Sequence, residues 1–211
     1  MTELTDNLLQ LFCIFICGCH SCVLTIRSRS YKRLLVSLFY LSFGMGLTYW
    51  VLYLILFGTS PLVFCVSELS WTASYIFLAL RLYADIPKEK HKNKAVFWIL
   101  PAFSVAIGIF FCTRGSYFEN ILMGTAMGVL GYYAVKGIFL AKIRNRSGKP
   151  LIFYAALFFY AAEYLLWISS YFITENTIVS PYYLVDIFIL NPALILIAAA
   201  QSKEETLCRT T

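Results

Sequence analysis

Seven long apolar runs divide this chain, and they demand lipid as their solvent. A membrane-crossing helix needs ~20 mostly apolar residues, because the hydrocarbon core is ~30 Å thick and each helical residue rises ~1.5 Å. Runs of this kind cover approximately 7–26, 34–57, 64–84, 95–113, 117–140, 150–172 and 181–200. Breakers separate several of them: Gly58-Thr59-Ser60-Pro61, Arg114-Gly115-Ser116, Thr174-Glu175-Asn176-Thr177 and Ser180-Pro181. Of the 211 residues, 60% are hydrophobic and 13% charged, against about 45–50% and about 25% in a soluble domain. A soluble fold of this size has no interior large enough for so much apolar material. The predicted fold is all-α: a polytopic membrane protein with seven transmembrane helices in a single transmembrane domain over 1–211.

The basic residues set an expected orientation, since Lys and Arg accumulate in cytoplasmic loops. Arg27, Arg29, Lys32 and Arg33 follow the first run, and Lys88, Lys90, Lys92 and Lys94 follow the third. Lys142, Arg144, Arg146 and Lys149 follow the fifth, and Lys203 and Arg209 follow the seventh. The alternate connections carry Arg114 and little else that is basic. The N-terminus is therefore expected outside the cell membrane, and the short tail 201–211 in the cytoplasm. The net charge of +6 lies in short clusters rather than on one face, so nucleic acid is not an expected partner. Glu3 and Asp6 precede the first run where a signal peptide needs positive charge, so no cleavable leader is expected.

Ile26-Arg27-Ser28-Arg29-Ser30-Tyr31-Lys32 returns as Ile143-Arg144-Asn145-Arg146-Ser147-Gly148-Lys149, identical at five of seven positions. The same offset of 117 places Trp50 on Trp167, and one more residue places Glu68 on Asp186. This pattern is read as an internal duplication. Two parallel three-helix halves, 7–84 and 117–200, are expected to be joined by a connector helix, 95–113. Short loops predict that consecutive helices pack as neighbours.

The three-one-three plan resembles, at the level of topology, the sugar facilitators called SWEETs, the vitamin-precursor transporters of the nicotinamide riboside type, the KDEL receptors and the microbial rhodopsins. The resemblance implies a ligand site between the halves. The particular motifs of these families are missing. The seventh run has no lysine for a retinal Schiff base, and no Pro-Gln pair occurs anywhere.

Charged groups inside lipid cost about 2.5–3.5 kcal/mol at a helix centre on insertion scales, so those present need a reason. Glu163 is the most central, in the sixth run, and Asp186 lies in the outer third of the seventh. Glu68 and Glu119 stand at the outer ends of the third and fifth, where the headgroup region also suits them. The cations Arg81 and Lys136 lie at the opposite, cytoplasmic ends. Aromatics accompany the acids at helical spacing: Tyr160 and Trp167 with Glu163, Trp71 and Tyr75 with Glu68, Tyr182 and Tyr183 before Asp186. Tyr49, Trp50 and Tyr53 occupy the matching part of the second helix. Membrane interfaces favour Trp and Tyr in any case. Carboxylates among aromatic rings suit an organic cation or a planar polar ligand. Glu163, Asp186, Trp167, Tyr160, Trp71, Glu68 and Tyr49 are the candidate substrate-binding residues.

The first run also holds Cys13, Cys17, Cys19, His20 and Cys22, three of which share a face. No second ligand cluster accompanies them, so small apolar packing is the favoured reading and neither a metal nor a cofactor is expected. Cys65 and Cys112 lie near one surface and are candidates for a pair. Gly124, Gly128 and Gly131 form a small-residue stripe suited to close helix packing. Asn191-Pro192 is the expected site of a kink opening carbonyls towards a cavity. Soluble-enzyme motifs such as Gly-x-Ser-x-Gly, a phosphate loop or His-Glu-x-x-His are absent.

The expected function is a small-solute transporter or facilitator with an acidic, aromatic pocket between its halves. The alternative is a membrane receptor or sensor working through a cytoplasmic partner at Lys88 to Lys94, or as a homo-oligomer. A third reading is an intramembrane lipid hydrolase similar in size to the lysoplasmalogenases, with Glu163 and Asp186 as acid and base; that family's Gly-Asp pair is missing.

Overall fold

The computed structural model describes residues 2–61, 65–87, 94–113, 116–143, 151–172 and 180–210. Among these, helices are the regular structure and no strand occurs. They are α1 (Thr2–Ser28), α2 (Tyr31–Phe57), α3 (Cys65–Tyr83), α4 (Ile99–Cys112) led by a 3-10 turn (Ala95–Trp98), α5 (Tyr117–Ile143), α6 (Leu151–Phe172), α7 (Pro181–Val185), a π turn (Asp186–Leu190) and α8 (Asn191–Thr210). From α7 to α8 the helix runs without a break. Among the described residues, six helical stretches are long and apolar enough to cross a membrane: Thr2–Ser28, Tyr31–Phe57, Ala95–Cys112, Tyr117–Lys142, Leu151–Ser170 and Pro181–Lys203. The chain is a multi-pass membrane protein.

The exception is α3, expected as the third crossing. Its mean hydropathy is lowered by Ser67, Glu68, Thr72, Ser74 and Arg81, all of them buried against protein. Val66, Leu69, Ile76 and Leu80 make its exposed side. A helix that hides its polar residues among its neighbours is less apolar than one facing lipid all round.

Contacts between elements close a ring in the order α1, α2, α3, α5, α6 and α8, returning to α1. α4 packs on the outside of α5. The expected neighbour rule thus holds for most consecutive helices, while α3 makes its principal forward contact with α5. Small residues set the α4–α5 approach. A Cβ on Gly124 would stand 3.3 Å from the Ser104 carbonyl oxygen, and one on Gly108 would stand 3.2 Å from that of Asn120. The glycine stripe is a packing seam, consistent with small residues letting membrane helices approach.

Two devices shape the ends. Arg29, at φ 49°, turns α1 directly into α2, so the first basic heptapeptide is a tight corner; its second copy lies outside the described residues beyond Ile143. At this end Asp85 pairs with both Arg81 and Lys32. Arg81 is only 1% exposed. The other device is the π turn. Pro192 has no N–H to give the carbonyl four residues back, and its ring would clash there. The helix widens instead: the Asn191 N–H bonds the Asp186 carbonyl, five residues earlier. The Asn191 side-chain amide donates to that same oxygen at 3.2 Å. The expected kink is realised as this wide turn.

Candidate functional site

A cavity of about 570 Å³ lies inside the helix ring. It is built from the beginnings of α1, α3, α5 and α7, the π turn, and the second halves of α2 and α6, all at one end of the bundle. Phe43, Tyr75 and Leu190 belong to both its wall and the core beneath it. That core is a stack of rings. Phe159 meets Phe39 at 5.3 Å, Tyr75 at 5.9 Å and Phe43 at 6.2 Å, centroid to centroid. Tyr40 donates to the Leu194 carbonyl at 2.6 Å, tying α2 across to α8. Beyond this stack lies the Lys32–Asp85–Arg81 cluster, so the two ends of the ring differ in charge.

Four carboxyl groups line the cavity, from Glu3, Glu68, Glu163 and Asp186. Among the described lining residues there is no Lys, Arg or His. Glu163 is 9% exposed. It accepts the Tyr75 hydroxyl on Oε2 at 3.0 Å, while its buried Oε1 has no hydrogen-bond partner among the described residues. Glu3 accepts Trp50 Nε1 at 3.1 Å and Ser60 Oγ at 2.9 and 3.1 Å. Gln10 donates to Asp186 Oδ1 at 2.6 Å. Indole rings complete the wall: Trp50 and Trp71 stand 5.9 Å apart, and Trp167 stacks on Phe111 of α4 at 4.7 Å. Trp71 Nε1 is a buried donor with no hydrogen-bond partner among the described residues. The wall thus combines carboxyl groups with aromatic faces.

Of the candidate residues, the structure brings Glu163, Asp186, Trp167, Trp71 and Glu68 to this one cavity. Tyr160 and Tyr49 do not join them. Residues three apart on a helix diverge by about 60°, and Tyr160 sits on the α4 side of that arc. It bonds Ser104 Oγ at 2.9 Å and the Leu100 carbonyl at 3.1 Å. Tyr49 packs near Tyr53, 6.2 Å between rings, and its neighbour Trp50, about 100° further round, takes the wall position instead. Lys136 lies away from the cavity, beside Tyr132.

The first turns of α1 were not legible as part of the site. Glu3, Asn7 and Gln10 line it, with Asp6 buried behind. Their spacing of three to four was the available signal: a polar helix face just ahead of an apolar run. Reading the helix as beginning at 7 placed half of that face in water. Of the α1 cysteines Cys17 is buried, Cys13 and Cys22 are half-buried and Cys19 is exposed. Among the described residues no cluster of His, Cys, Asp and Glu is placed to hold a metal ion, and His20 meets Ser202 at 2.7 Å. Cys112 is a free thiol, near the Tyr117 carbonyl at 3.8 Å. The loop Lys88 to Lys92 lies outside the described residues.

No protein-family model matches the chain, and no match is found among curated proteins or solved structures. The class that fold and cavity define is a helical, multi-pass membrane protein with a cavity lined by carboxyl groups and aromatic rings.

Proposed function

We propose that the chain is a membrane transporter or facilitator for small organic cations, bound between α1–α3 and α5–α8. One observation carries this reading: the chamber walls hold four carboxyl groups and several aromatic faces with no cationic side chain among the described lining residues. A cation gains from both features together. Rings attract it through their quadrupoles, by about 0.5–2 kcal/mol each according to desolvation, and a buried carboxylate with a spare oxygen supplies a charge-assisted contact. A chamber of about 570 Å³ falls in the range that suits a metabolite-sized solute.

The proposal includes the topology. Seven helices cross the cell membrane, α3 among them as the polar-lined inner member. The chamber faces outside, and the Lys32–Asp85–Arg81 end faces the cytoplasm in keeping with the basic loops. The two helix groups meet at α3–α5 and α1–α8, with the ring stack around Phe159 as the barrier between chamber and cytoplasm. Rocking of one group against the other parts this stack. Trp50 with Trp167, and Glu68 with Asp186, are the positions that the repeat offsets pair, and all four line the chamber. This supports a duplicated origin for the two groups.

Flux through liposomes is the test. Purified protein in vesicles is expected to move a labelled organic cation down its gradient, and Glu163→Gln to slow that flux at equal protein. Saturable binding without any flux would favour the receptor reading instead.

A further inference from the structure

We propose that Asp6 and Asp186 form a proton-binding site whose proton is exchanged for the organic cation that enters the chamber. The exchange rests on the cation reading above; the proton site does not.

Asp6 is 4% exposed. Both of its carboxyl oxygens are buried and have no hydrogen-bond donor among the described residues. The group that faces it is a second carboxyl, that of Asp186. The helices force this meeting. Asp6 and Gln10 are one turn apart on α1, so they share the face that packs on the π turn. Gln10 holds Asp186 Oδ1 at 2.6 Å, and Asn191 fixes the Asp186 carbonyl with both its backbone and side-chain N–H groups. Asp186 therefore cannot readily swing away.

Two carboxylates in contact, away from water, do not both ionise without great cost. A single proton between them creates the O–H···O bond that Asp6 otherwise lacks, and it satisfies a buried polar group that no other donor reaches. The titratable groups facing the pair are Glu3 and Cys13 from α1, Tyr182 and Tyr183 from α7, and Glu163 from α6. None is cationic, so nothing among them replaces the proton. An incoming ligand does. Asp186 lines the chamber while Asp6 stands behind it. A cation seated between Asp186 and Glu163 neutralises the charge that the proton had neutralised. The O–H bond breaks, the proton passes to water at the chamber mouth, and two carboxylates face one cation. The net charge of the site is unchanged.

The test uses the full chain in detergent. Dicyclohexylcarbodiimide modifies protonated carboxyls in apolar surroundings, and peptide mass spectrometry locates the adduct. At neutral pH the adduct is expected on Asp6 or Asp186, and choline is expected to protect against it. In weak buffer, choline should release about one proton per cation bound. The infrared carbonyl band of a protonated carboxyl should fade in step, a readout on the native chain that needs no variant. Asp6→Asn should abolish the release. No adduct on either aspartate, together with no protonated-carboxyl band, overturns the proton site. Choline binding without proton release overturns the exchange but spares the cation site. An adduct and band with no choline binding keep the proton site and sink the exchange along with the cation reading. Equal protection by sodium chloride would mark a metal-ion site and overturn the proposal.

Discussion

Glu163 is held by one oxygen: Tyr75 donates to Oε2, so the carboxyl group stands at the chamber wall already oriented, while Oε1 is buried with no hydrogen-bond partner among the described residues. A charge-assisted contact is worth about 1.5–3 kcal/mol, which corresponds to a factor of about 10–100 in Kd. Glu163→Gln should weaken cation binding by that factor while the melting temperature changes little, since the amide keeps the shape; calorimetric titration and a thermal melt check both. Asp85 behaves differently. Burial alone would raise its carboxyl, but Arg81 and Lys32 outweigh burial and hold it below its ordinary 3.8. A depressed folded value means that this stabilisation is complete above about pH 4 and is lost as pH falls through the folded value. Melting temperature should therefore decline below about pH 4. Asp85→Asn should flatten that decline and cost about 3–5 kcal/mol at neutral pH, because it removes a carboxylate that is paired with the buried Arg81. The residues legible in the sequence, Glu163 and Asp186, were charges interrupting apolar runs. Asp6 and Gln10 sit where a run begins, and hydropathy cannot tell a wet helix start from a buried one.

At the level of elements, the π turn is the feature on which site geometry depends most. It exists because Pro192 removes one N–H and crowds one carbonyl, and wide turns of this kind recur at functional sites. Pro192→Ala restores the missing donor and lets Asp186–Leu190 tighten to ordinary pitch. Asp186 then rotates off its partners. Binding of the cation should weaken about tenfold, through loss of one charge-assisted contact, while the melting temperature holds or rises; titration and a thermal melt separate the two effects. The sequence located this proline but implied a bend that opens carbonyls towards a cavity; Pro192 is instead exposed and outside the cavity lining, and composition does not distinguish a kink from a wide turn. Helix positions were more readable. The expected spans overlap every helix, because ~20 apolar residues between breakers leave few alternatives. α3 was the hardest case: its inward polar face is a consequence of tertiary packing that no single-helix average contains.

The whole molecule is a ring with a carboxyl-lined chamber at one end and the Lys32–Asp85–Arg81 cluster at the other. Short loops made most consecutive helices legible as neighbours, but the α3–α5 and α1–α8 contacts that close the ring were not, because lipid-facing and partner-facing surfaces are equally apolar. The outward position of α4 follows from the Gly108–Gly124 seam, and only the α5 half of that seam stood out in the sequence. Orientation is testable by labelling. With native cysteines replaced, Ser60→Cys should react with an impermeant maleimide on intact cells, whereas Lys32→Cys should react only after the membrane is opened.

The account stands on the claim that positive charge is what the chamber recognises. A thermal-shift comparison of choline with its neutral carbon isostere, dimethylbutanol, on the purified chain tests this most directly, and related ammonium and guanidinium compounds can be run with their own uncharged matches. A ligand that binds only the folded protein raises its melting temperature with concentration. At least one cation should do so while its isostere does not, and Glu163→Gln should remove the difference. Isosteres that stabilise as well as the cations, or a panel in which no cation stabilises at all, would contradict it.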